Sequence, residues 1–338
     1  MRIATYNVEW FNSLFDDRGR MLLDDDWSAR YKVTRRQQLE SLAIVFTALD
    51  ADGVMVIEAP DNNRRHKTVP MLERFAAHFD LRCRKAVMGF ASDTQQEIAF
   101  LYDPDKMSLR HAPKGDGDWP TPRFDQKYLI DLDVDGTRDK VTFSKPPLEL
   151  ALTAASGRKV RLIGVHLKTK APHGATSPDD ARRISISNRR KQLAECVWLR
   201  ARIVEHLQLG DSLMVMGDLN DGPGLDEYEK LFGRSGVEVV LGTDGPAELR
   251  LFDPHAQSAL SRKLVATPTS ARFYLSHLGR YFSALLDYVM ISPDLCTQNP
   301  AWRIWHPFDD PGCYKVPELR EALLTASDHF PVSIDLDL

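Results

Sequence analysis

The stretch "LMVMGDLND", residues 213–221, is a short apolar run that ends in a cluster of polar side chains. An apolar run of this length between polar boundaries is typical of a buried strand. The side chains that follow it belong to Asp218, Asn220 and Asp221. Carboxylate and amide oxygens are the ligands that hard divalent cations prefer. We therefore expect this strand to present ligands for a cation, or contacts for a phosphate group, at its carboxyl end.

A weak internal repeat surrounds this stretch. In the second half of the chain, "VRLIGVHLKTK" (160–170) precedes a helical segment at 178–209 and then "LMVMGDLND". In the first half, "IATYNVEWF" (3–11) precedes a helical segment at 35–49 and then "VMVIEAPDN" (54–62). Two β-rich halves with helices outside them predict two sheets packed face to face under helical outer layers. The polar strand ends of both halves would then meet at one rim.

Other parts of the chain complete this pattern. Further apolar runs predict strands at 97–103, 128–134, 147–153, 285–292 and 331–338. The least regular parts are 12–32, 110–126 and 242–284, which we interpret as surface loops that set specificity. Because no low-complexity linker divides the chain, we expect a single domain over 1–338.

Composition and charge narrow the classes of function. Of the 338 residues, 43% are hydrophobic and 27% charged, as in ordinary globular proteins. Acids outnumber Lys plus Arg by 48 to 44, so any contact with nucleic acid must be local. No stretch approaches the roughly 20 apolar residues of a membrane span, and no export signal is present at the start, so we expect a cytoplasmic protein. The four cysteines lack CxxC spacing, which predicts reduced, structural thiols.

Polar side chains recur wherever a predicted strand ends. Any one of them alone is more often an ordinary solvated strand end than a ligand. Together they have the chemistry of a site for Mg²⁺, or for Mn²⁺ as a substitute, with histidines that transfer protons or contact phosphate. These residues are Asn7, Glu9, Glu58, His166, Lys168, Asp218, Asn220, Asp287, Asp328 and His329.

Six motifs in order carry a family resemblance. They are "TYNVEWF" (5–11), "VIEAP" (56–60), "GVHLKTK" (164–170), "GDLND" (217–221), "LLDYVMIS" (285–292) and "SDHFPV" (327–332). In this order they resemble the endonuclease/exonuclease/phosphatase superfamily, which includes pancreatic-type deoxyribonucleases and inositol-phosphate 5-phosphatases. The resemblance implies a four-layered α/β sandwich of the DNase I-like type. It also implies a Mg²⁺-dependent hydrolase of phosphoric esters.

The resemblance implies metal ligands at four positions. Glu58 is similar to the principal metal-binding glutamate of the family, and Asn7 and Asp328 assist it. Glu9 occupies a second metal position where other members often have Asp. One departure from the family pattern is Ile57, which stands where many members have Gln. That change puts a supporting hydrogen bond in doubt but retains the glutamate.

The remaining motif residues are expected to act on the substrate. Asp218 resembles the aspartate that activates the attacking water, and Asn220 the amide that holds the phosphate and the base. Asp287 and His329 resemble the family's Asp/His pair, and His166 stands where nucleases carry an acid or transition-state stabiliser. Since each histidine has a neighbouring acid, we expect raised histidine pKa values.

Basic residues that leave the predicted site strands are candidates for contacts with the substrate. Lys168 lies in "HLKTK" (166–170), and Arg64 and Arg65 follow "EAPDNN" (58–63). These side chains could contact phosphate. A nuclease acting on DNA or RNA is the leading hypothesis. The alternative is a phosphatase or phosphodiesterase of small-molecule or lipid head-group phosphates, and a third hypothesis is a non-catalytic binding protein. No obligate protein partner is inferred, and the sequence leaves open endo- or exonuclease action, the number of metal ions and the oligomeric state.

Overall fold

Two β-sheets packed face to face form the centre of the protein, seen in a computed structural model that describes residues 1–117, 119–132, 136–224, 229–261, 267–275 and 279–338. The strands are β1 (Arg2–Asn7), β2 (Gly53–Ala59), β3 (Lys85–Met88), β4 (Glu97–Tyr102), β5 (Met107–His111), β6 (Tyr128–Ile130), β7 (Asp139–Val141), β8 (Leu148–Ala154), β9 (Lys159–His166), β10 (Leu213–Asp218), β11 (Ala271–Leu275), β12 (Arg280–Ala284), β13 (Asp287–Ile291), β14 (Ala301–Ile304) and β15 (Val332–Asp335). The helices are α1 (Arg35–Leu49), α2 (Thr68–His78), α3 (Pro178–Gln208), α4 (Glu229–Phe232), α5 (Gly236–Leu241), α6 (Pro254–Leu260), α7 (Pro311–Tyr314) and α8 (Pro317–Ala326).

The two sheets correspond to the two halves of the predicted repeat. The first has the strand order β14-β15-β1-β2-β4-β3, and the second has the order β13-β10-β9-β8-β5. Within each sheet one central pair is parallel, β1 with β2 and β9 with β10. Parallel neighbours place their carboxyl ends at the same edge. Asn7, His166 and Asp218 are the last residues of their strands, so both sheets present polar residues at one rim.

Three apolar clusters hold the layers together. Between the sheets, Met55 and Phe100 of the first sheet pack in one cluster with Met214 of the second. Residues of α1, α2 and α8 cover the outer face of the first sheet, and α3 and α5 cover that of the second. The order is therefore helix, sheet, sheet, helix, which confirms the four-layered α/β sandwich.

Local sequence signals set the limits of the two principal helices. Thr34 and Gln37 form a reciprocal capping box at the start of α1. Ser177 accepts a hydrogen bond from the backbone N–H of Asp180 at the start of α3, where Pro178 occupies the first helical position. Both helices begin and end within a residue of the predicted limits. Across the described residues, no helix has both the length and the hydropathy of a membrane span.

The segment 242–284 departs from the prediction of an irregular loop. It contains α6 and the hairpin of β11 and β12. The hairpin joins Phe273 to Phe282 on one face and Tyr274 to Tyr281 on the other, and such aromatic cross-strand pairs stabilise a ribbon. The predicted strand at 128–134 is shorter in the structure, where it forms β6 in a separate small hairpin with β7. Its residues 133–134 lie outside the described residues.

Candidate active site

A cleft of about 610 Å³ opens at the rim where the strand ends of both sheets meet. A hydrogen bond of 3.2 Å from Asn7 Nδ2 to Asp218 Oδ2 joins the two sheets at its base. Nine of the twelve residues predicted from the sequence line the cleft: Asn7, Glu9, Glu58, His166, Lys168, Asp218, Asn220, Asp328 and His329. The structure therefore brings together residues that are up to 322 positions apart in the chain.

Several non-glycine residues of the cleft have a backbone conformation that residues with a side chain rarely adopt. Glu9, Trp10, Glu58 and Asn220 have φ angles of 48°, 56°, 62° and 50°, in the left-handed region. Glu58 also lies at a break in the register between β2 and β4, which is a β-bulge. Each such conformation costs about 1–3 kcal/mol and is found where a side chain must be aimed for function. Four of them around one cleft support its assignment as the functional site.

Asp218 lies at the centre of the cleft and is almost fully buried. Its Oδ1 accepts a 2.7 Å hydrogen bond from the backbone N–H of Asn220, and its Oδ2 accepts a 3.1 Å bond from Asn220 Nδ2. Burial raises the pKa of Asp218 to about 7, although the nearby His329 opposes the rise. A carboxylate with a pKa near neutral is suited to accept a proton. Asn220 Nδ2 also donates to the Leu167 carbonyl, so this amide holds Asp218 in place.

His329 and Asp287 form a buried hydrogen-bonded pair. His329 Nδ1 lies 2.7 Å from Asp287 Oδ2, and the Ser270 hydroxyl donates a 2.8 Å bond to the same oxygen. Burial by itself would lower the pKa of His329, but Asp287 outweighs it and holds that pKa well above the usual value. The ring is therefore an imidazolium whose Nε2–H points toward Asp218 Oδ2, 4.0 Å away. Asp287 does not line the cleft and contacts the His329 ring from behind it.

The pKa of His166 is lowered, unlike that of His329, and the prediction of a raised pKa is therefore wrong for this histidine. Its Nε2 lies 3.0 Å from Lys145 Nζ and 3.6 Å from Asp218 Oδ2. Burial first, and then Lys145, hold the pKa of His166 well below its usual value. The ring is thus neutral, and a neutral ring that accepts from an ammonium has no proton on Nε2 to give. The sequence shows neither the burial of this ring nor its contact with Lys145, and it therefore predicts a raised pKa for both histidines.

The predicted metal ligands offer oxygen atoms to the cleft. Glu58 Oε2 accepts a 2.8 Å hydrogen bond from the Trp10 backbone N–H, which fixes the carboxylate. Asn7 and Asp328 add an amide and a second carboxylate to the lining. Oxygen donors of this kind fit a hard divalent cation such as Mg²⁺. A separate group of possible ligand atoms, on Asp218, Asp287 and His329, lies within 4.8 Å, and the hydrogen bond of the Asp/His pair accounts for part of that closeness.

Glu9 is the predicted metal ligand that forms an ion pair with an arginine. Its Oε2 forms an ion pair with Arg30 and accepts a 2.8 Å hydrogen bond from the Asp328 backbone N–H. Burial, and then the Asp328 charge, raise the pKa of Glu9 to about 7. One of its oxygens is therefore already engaged in holding the segment that carries Asp328 and His329.

Three polar residues in or near the motifs lie outside the lining of the cleft. Asp221 is fully buried, where it pairs with Lys170 and accepts from the Gly222 backbone N–H at 2.9 Å. Arg64 and Arg65 lie outside the lining, and Arg65 pairs with Asp17 at 2.9 Å on the surface. The turn that carries Arg65 is held by its own side chains, since Asn63 Oδ1 accepts from the Arg65 backbone N–H at 2.7 Å. The predicted phosphate contacts of these two arginines have no support in this geometry.

Lys145 and Phe273 also line the cleft but are not predicted from the sequence. A signal for Lys145 does exist. The strands predicted at 147–153 and 160–167 pair antiparallel, with Leu148 opposite Gly164. Extended by three residues, that register places Lys145 opposite Leu167, the neighbour of His166. No comparable signal exists for Phe273, whose position depends on the β11–β12 hairpin.

A buried Asp/His pair, a central carboxylate and a ring of oxygen donors on a four-layered sandwich define a class of phosphoesterase. The sequence profile of the Endonuclease/Exonuclease/phosphatase family matches residues 4–329. The chain belongs to this family, whose members hydrolyse phosphoric esters and depend on divalent metal ions. No curated protein sequence gives a significant match.

Solved structures with similar folds come from the same family. Truncated TDP2 from Caenorhabditis elegans is 12% identical, with coverage of 98% of this chain and 96% of that chain and a TM-score of 0.48. The 3′ phosphatase NExo from Neisseria, bound to a product DNA hairpin, is 17% identical with full coverage of both chains and a TM-score of 0.49. An AP endonuclease from Archaeoglobus fulgidus is 13% identical, again with full coverage and a TM-score of 0.49. Likenesses of this size carry no inference about the substrate of this chain.

Proposed function

We propose that the protein is a Mg²⁺-dependent phosphodiesterase that hydrolyses nucleic acid by in-line attack of water. The observation that carries this proposal is the position of Asp218 between two imidazole rings, 3.6 Å from His166 Nε2 and 4.0 Å from His329 Nε2. A carboxylate that accepts a proton from water lies there beside the His329 Nε2–H, a donor for an oxygen that becomes negative. Such placed donors supply much of the rate enhancement in phosphoryl and acyl transfer.

The oxygen donors of Asn7, Glu58 and Asp328, with Glu9, would hold the cation. When bound, Mg²⁺ supplies Lewis acidity and charge neutralisation at the phosphate. The side chains of the protein orient the reacting groups around the cation. Asp218 accepts the proton of the attacking water, and Asn220 fixes the carboxylate in the orientation that this requires.

His329 and Lys168 are proposed to bind the phosphate itself. The His329 Nε2–H donates to a nonbridging oxygen, because Asp287 keeps the ring protonated and oriented. Lys168 lines the same cleft and supplies a further positive charge. Charged donors such as an imidazolium or an ammonium make stronger hydrogen bonds to phosphate than neutral donors do.

The surface beside the cleft favours nucleic acid over a small phosphate ester. On the β11–β12 hairpin, the Arg272 guanidinium lies 3.7 Å from the Tyr281 ring centre and 5.4 Å from that of Phe308. Both rings are about half exposed, at 56% and 45%. The hairpin is joined to the cleft, because the Arg272 backbone N–H donates to the Asp328 carbonyl at 2.7 Å. Exposed aromatic rings with arginine are the usual platform for unpaired bases.

The function is tested by hydrolysis of bis-p-nitrophenyl phosphate with Mg²⁺, with Mn²⁺ and with EDTA. We expect turnover with either metal and none with EDTA. The specificity is tested with single-stranded DNA, duplex DNA, RNA, inositol phosphates and sphingomyelin. Preference for inositol phosphates or sphingomyelin would establish the alternative function, which the net charge of −4 favours. Absence of turnover on every substrate would leave a non-catalytic binding protein as the remaining hypothesis.

Replacing Tyr281 with Ala tests the stacking surface. Stacking of one base on an aromatic side chain contributes about 1–3 kcal/mol, so the ratio of kcat/KM for a single-stranded oligonucleotide to that for the small diester should fall about 10-fold. Tyr314→Ala is the matched control, since Tyr314 is exposed to 53% and also packs against an arginine, Arg320. An unchanged ratio in Tyr281→Ala, or an equal fall in both variants, would rule out this surface as the binding platform.

A further inference from the structure

Lys145 is a partly buried lysine that lines the cleft. Its Nζ lies 3.0 Å from His166 Nε2 and 3.4 Å from Gln96 Oε1. Within the described parts of the chain, no carboxylate oxygen is within ion-pair distance of this ammonium. Withdrawing a charge from water without an ion-pair partner is costly, so packing alone gives no reason for a lysine at this partly buried position.

The hydrogen bond to His166 has a defined direction. An ammonium can only donate, so His166 Nε2 is the acceptor and the ring is neutral. The same Nε2 is 3.6 Å from Asp218 Oδ2, the oxygen proposed to accept the proton of water. His166 thus holds the ammonium on one side of Asp218. On the other side, Asp218 Oδ2 faces His329 Nε2 at 4.0 Å.

The two cations beside Asp218 differ in how firmly they keep their protons. Asp287 raises the pKa of His329 well above its usual value, so the imidazolium keeps its proton and stays a hydrogen-bond donor. Burial lowers the pKa of Lys145, against the opposing effect of Glu58 and Asp218. An acid whose pKa is brought toward the working pH is the more effective proton donor in catalysis.

We propose that Lys145 is the general acid that protonates the leaving oxygen of the substrate, a role that the sequence motifs alone would give to His166. This inference rests on the proposed function. The water oxygen bonds to phosphorus while the bond from phosphorus to the leaving oxygen breaks. Asp218 takes one proton from the water, and Lys145 gives one proton to the leaving alkoxide. The products are a phosphate monoester and an alcohol, and solvent then restores both proton states.

The test compares leaving groups of very different basicity. A p-nitrophenolate departs readily without a proton, whereas a nucleoside alkoxide requires one. General acid catalysis contributes about 10²–10⁴-fold. We expect Lys145→Met to lose on the order of 100-fold or more in kcat on thymidylyl-(3′→5′)-thymidine, and less than about 10-fold on bis-p-nitrophenyl phosphate.

Two variants separate this role from binding and from folding. Lys168→Met removes a lysine from the same cleft and should lower kcat/KM on both substrates by one common factor. Lys145→Arg keeps the charge but has a pKa too high to release its proton, so it should keep the leaving-group dependence of Lys145→Met while restoring KM. Thermal unfolding of each variant reports whether the fold is retained.

Equal losses on the two substrates in Lys145→Met, or no loss on either, would overturn the role of Lys145 and leave the proposed function standing. Failure of the unmodified protein to cleave either substrate would instead overturn the proposed function. A large loss confined to the dinucleotide would establish Lys145 as the acid.

Discussion

Asp218→Asn should abolish most hydrolysis while leaving the protein as stable as before or more stable. Loss of the proposed general base lowers kcat by about 10²–10⁴-fold, because the amide cannot accept the proton of water. Asn has the same shape, and its one carbonyl oxygen can keep the hydrogen bond that Oδ1 accepts from the Asn220 backbone N–H. Its amide nitrogen no longer accepts from Asn7 Nδ2, but the uncharged group removes the cost of burying a charge. Kinetics on bis-p-nitrophenyl phosphate measure the first effect, and thermal unfolding in EDTA measures the second.

The stability effect has a definite pH dependence. Burial raises the pKa of Asp218 from 3.8 to about 7 in the folded protein. The folded state therefore binds this proton more tightly than the unfolded state, and the charged form destabilises the fold as pH rises from about 4 through about 7. Replacing Asp218 removes that penalty. The gain in the midpoint of unfolding should be absent near pH 4 and largest above pH 7.

Asp221→Asn is the matched control for this prediction. Asp221 is also fully buried, three residues further on, but it pairs with Lys170 and lies 3.6 Å from Arg189. Removing one partner of a buried ion pair is destabilising by about 3–5 kcal/mol, so this variant should unfold at a lower temperature. If both variants lost stability equally, Asp218 would have to be counted as a structural carboxylate.

The site residues that lie at the ends of strands could be predicted from the sequence. Asn7, His166 and Asp218 terminate parallel strands, and the period of the apolar residues fixes where such strands end. Their convergence followed from the repeat between the two halves. The single domain over 1–338 and the cytoplasmic location stay predictions, as do the roles of the individual site residues.

The features that the sequence did not predict depend on contacts between distant segments. The proton state of His166 is set by burial and by Lys145, a residue that reaches it only through the register of β8 and β9. Ser270 was overlooked because its hydroxyl meets Asp287 through the β11–β12 hairpin, in a segment expected to be irregular. Asp221 is the last residue of the motif "GDLND", yet its ion pair with Lys170 turns it inward. Spacing along a chain cannot distinguish these cases.

Asp287→Asn is expected to lower kcat/KM about 100-fold or more at pH 8 and by a smaller factor at pH 6. The carboxylate of Asp287 keeps His329 protonated, and an uncharged amide cannot do so. The pKa of His329 then falls toward or below the ordinary value near 6.5, so the ring loses its Nε2 charge as pH rises through neutrality. The ratio of variant to unmodified activity should fall steadily from pH 6 to pH 8. Proton NMR of the His329 ring measures the titration directly.

The stability of Asp287→Asn should follow the same titration. In the unmodified protein the folded-state pKa of His329 lies above its unfolded value, so its contribution to stability is complete below about pH 6.5 and is lost as pH rises through the folded pKa. The variant should therefore lose most stability below pH 6.5.

Asp253→Asn is the control, because Asp253 is a buried carboxylate that accepts from the Val289 backbone N–H at 3.0 Å, on the same strand as Asp287. It should destabilise the fold without altering the pH profile of activity. If both variants kept the profile of the unmodified protein, the proton on His329 would have no part in the reaction, and Asp287 would serve only to hold β13 against the Ser270 hydroxyl.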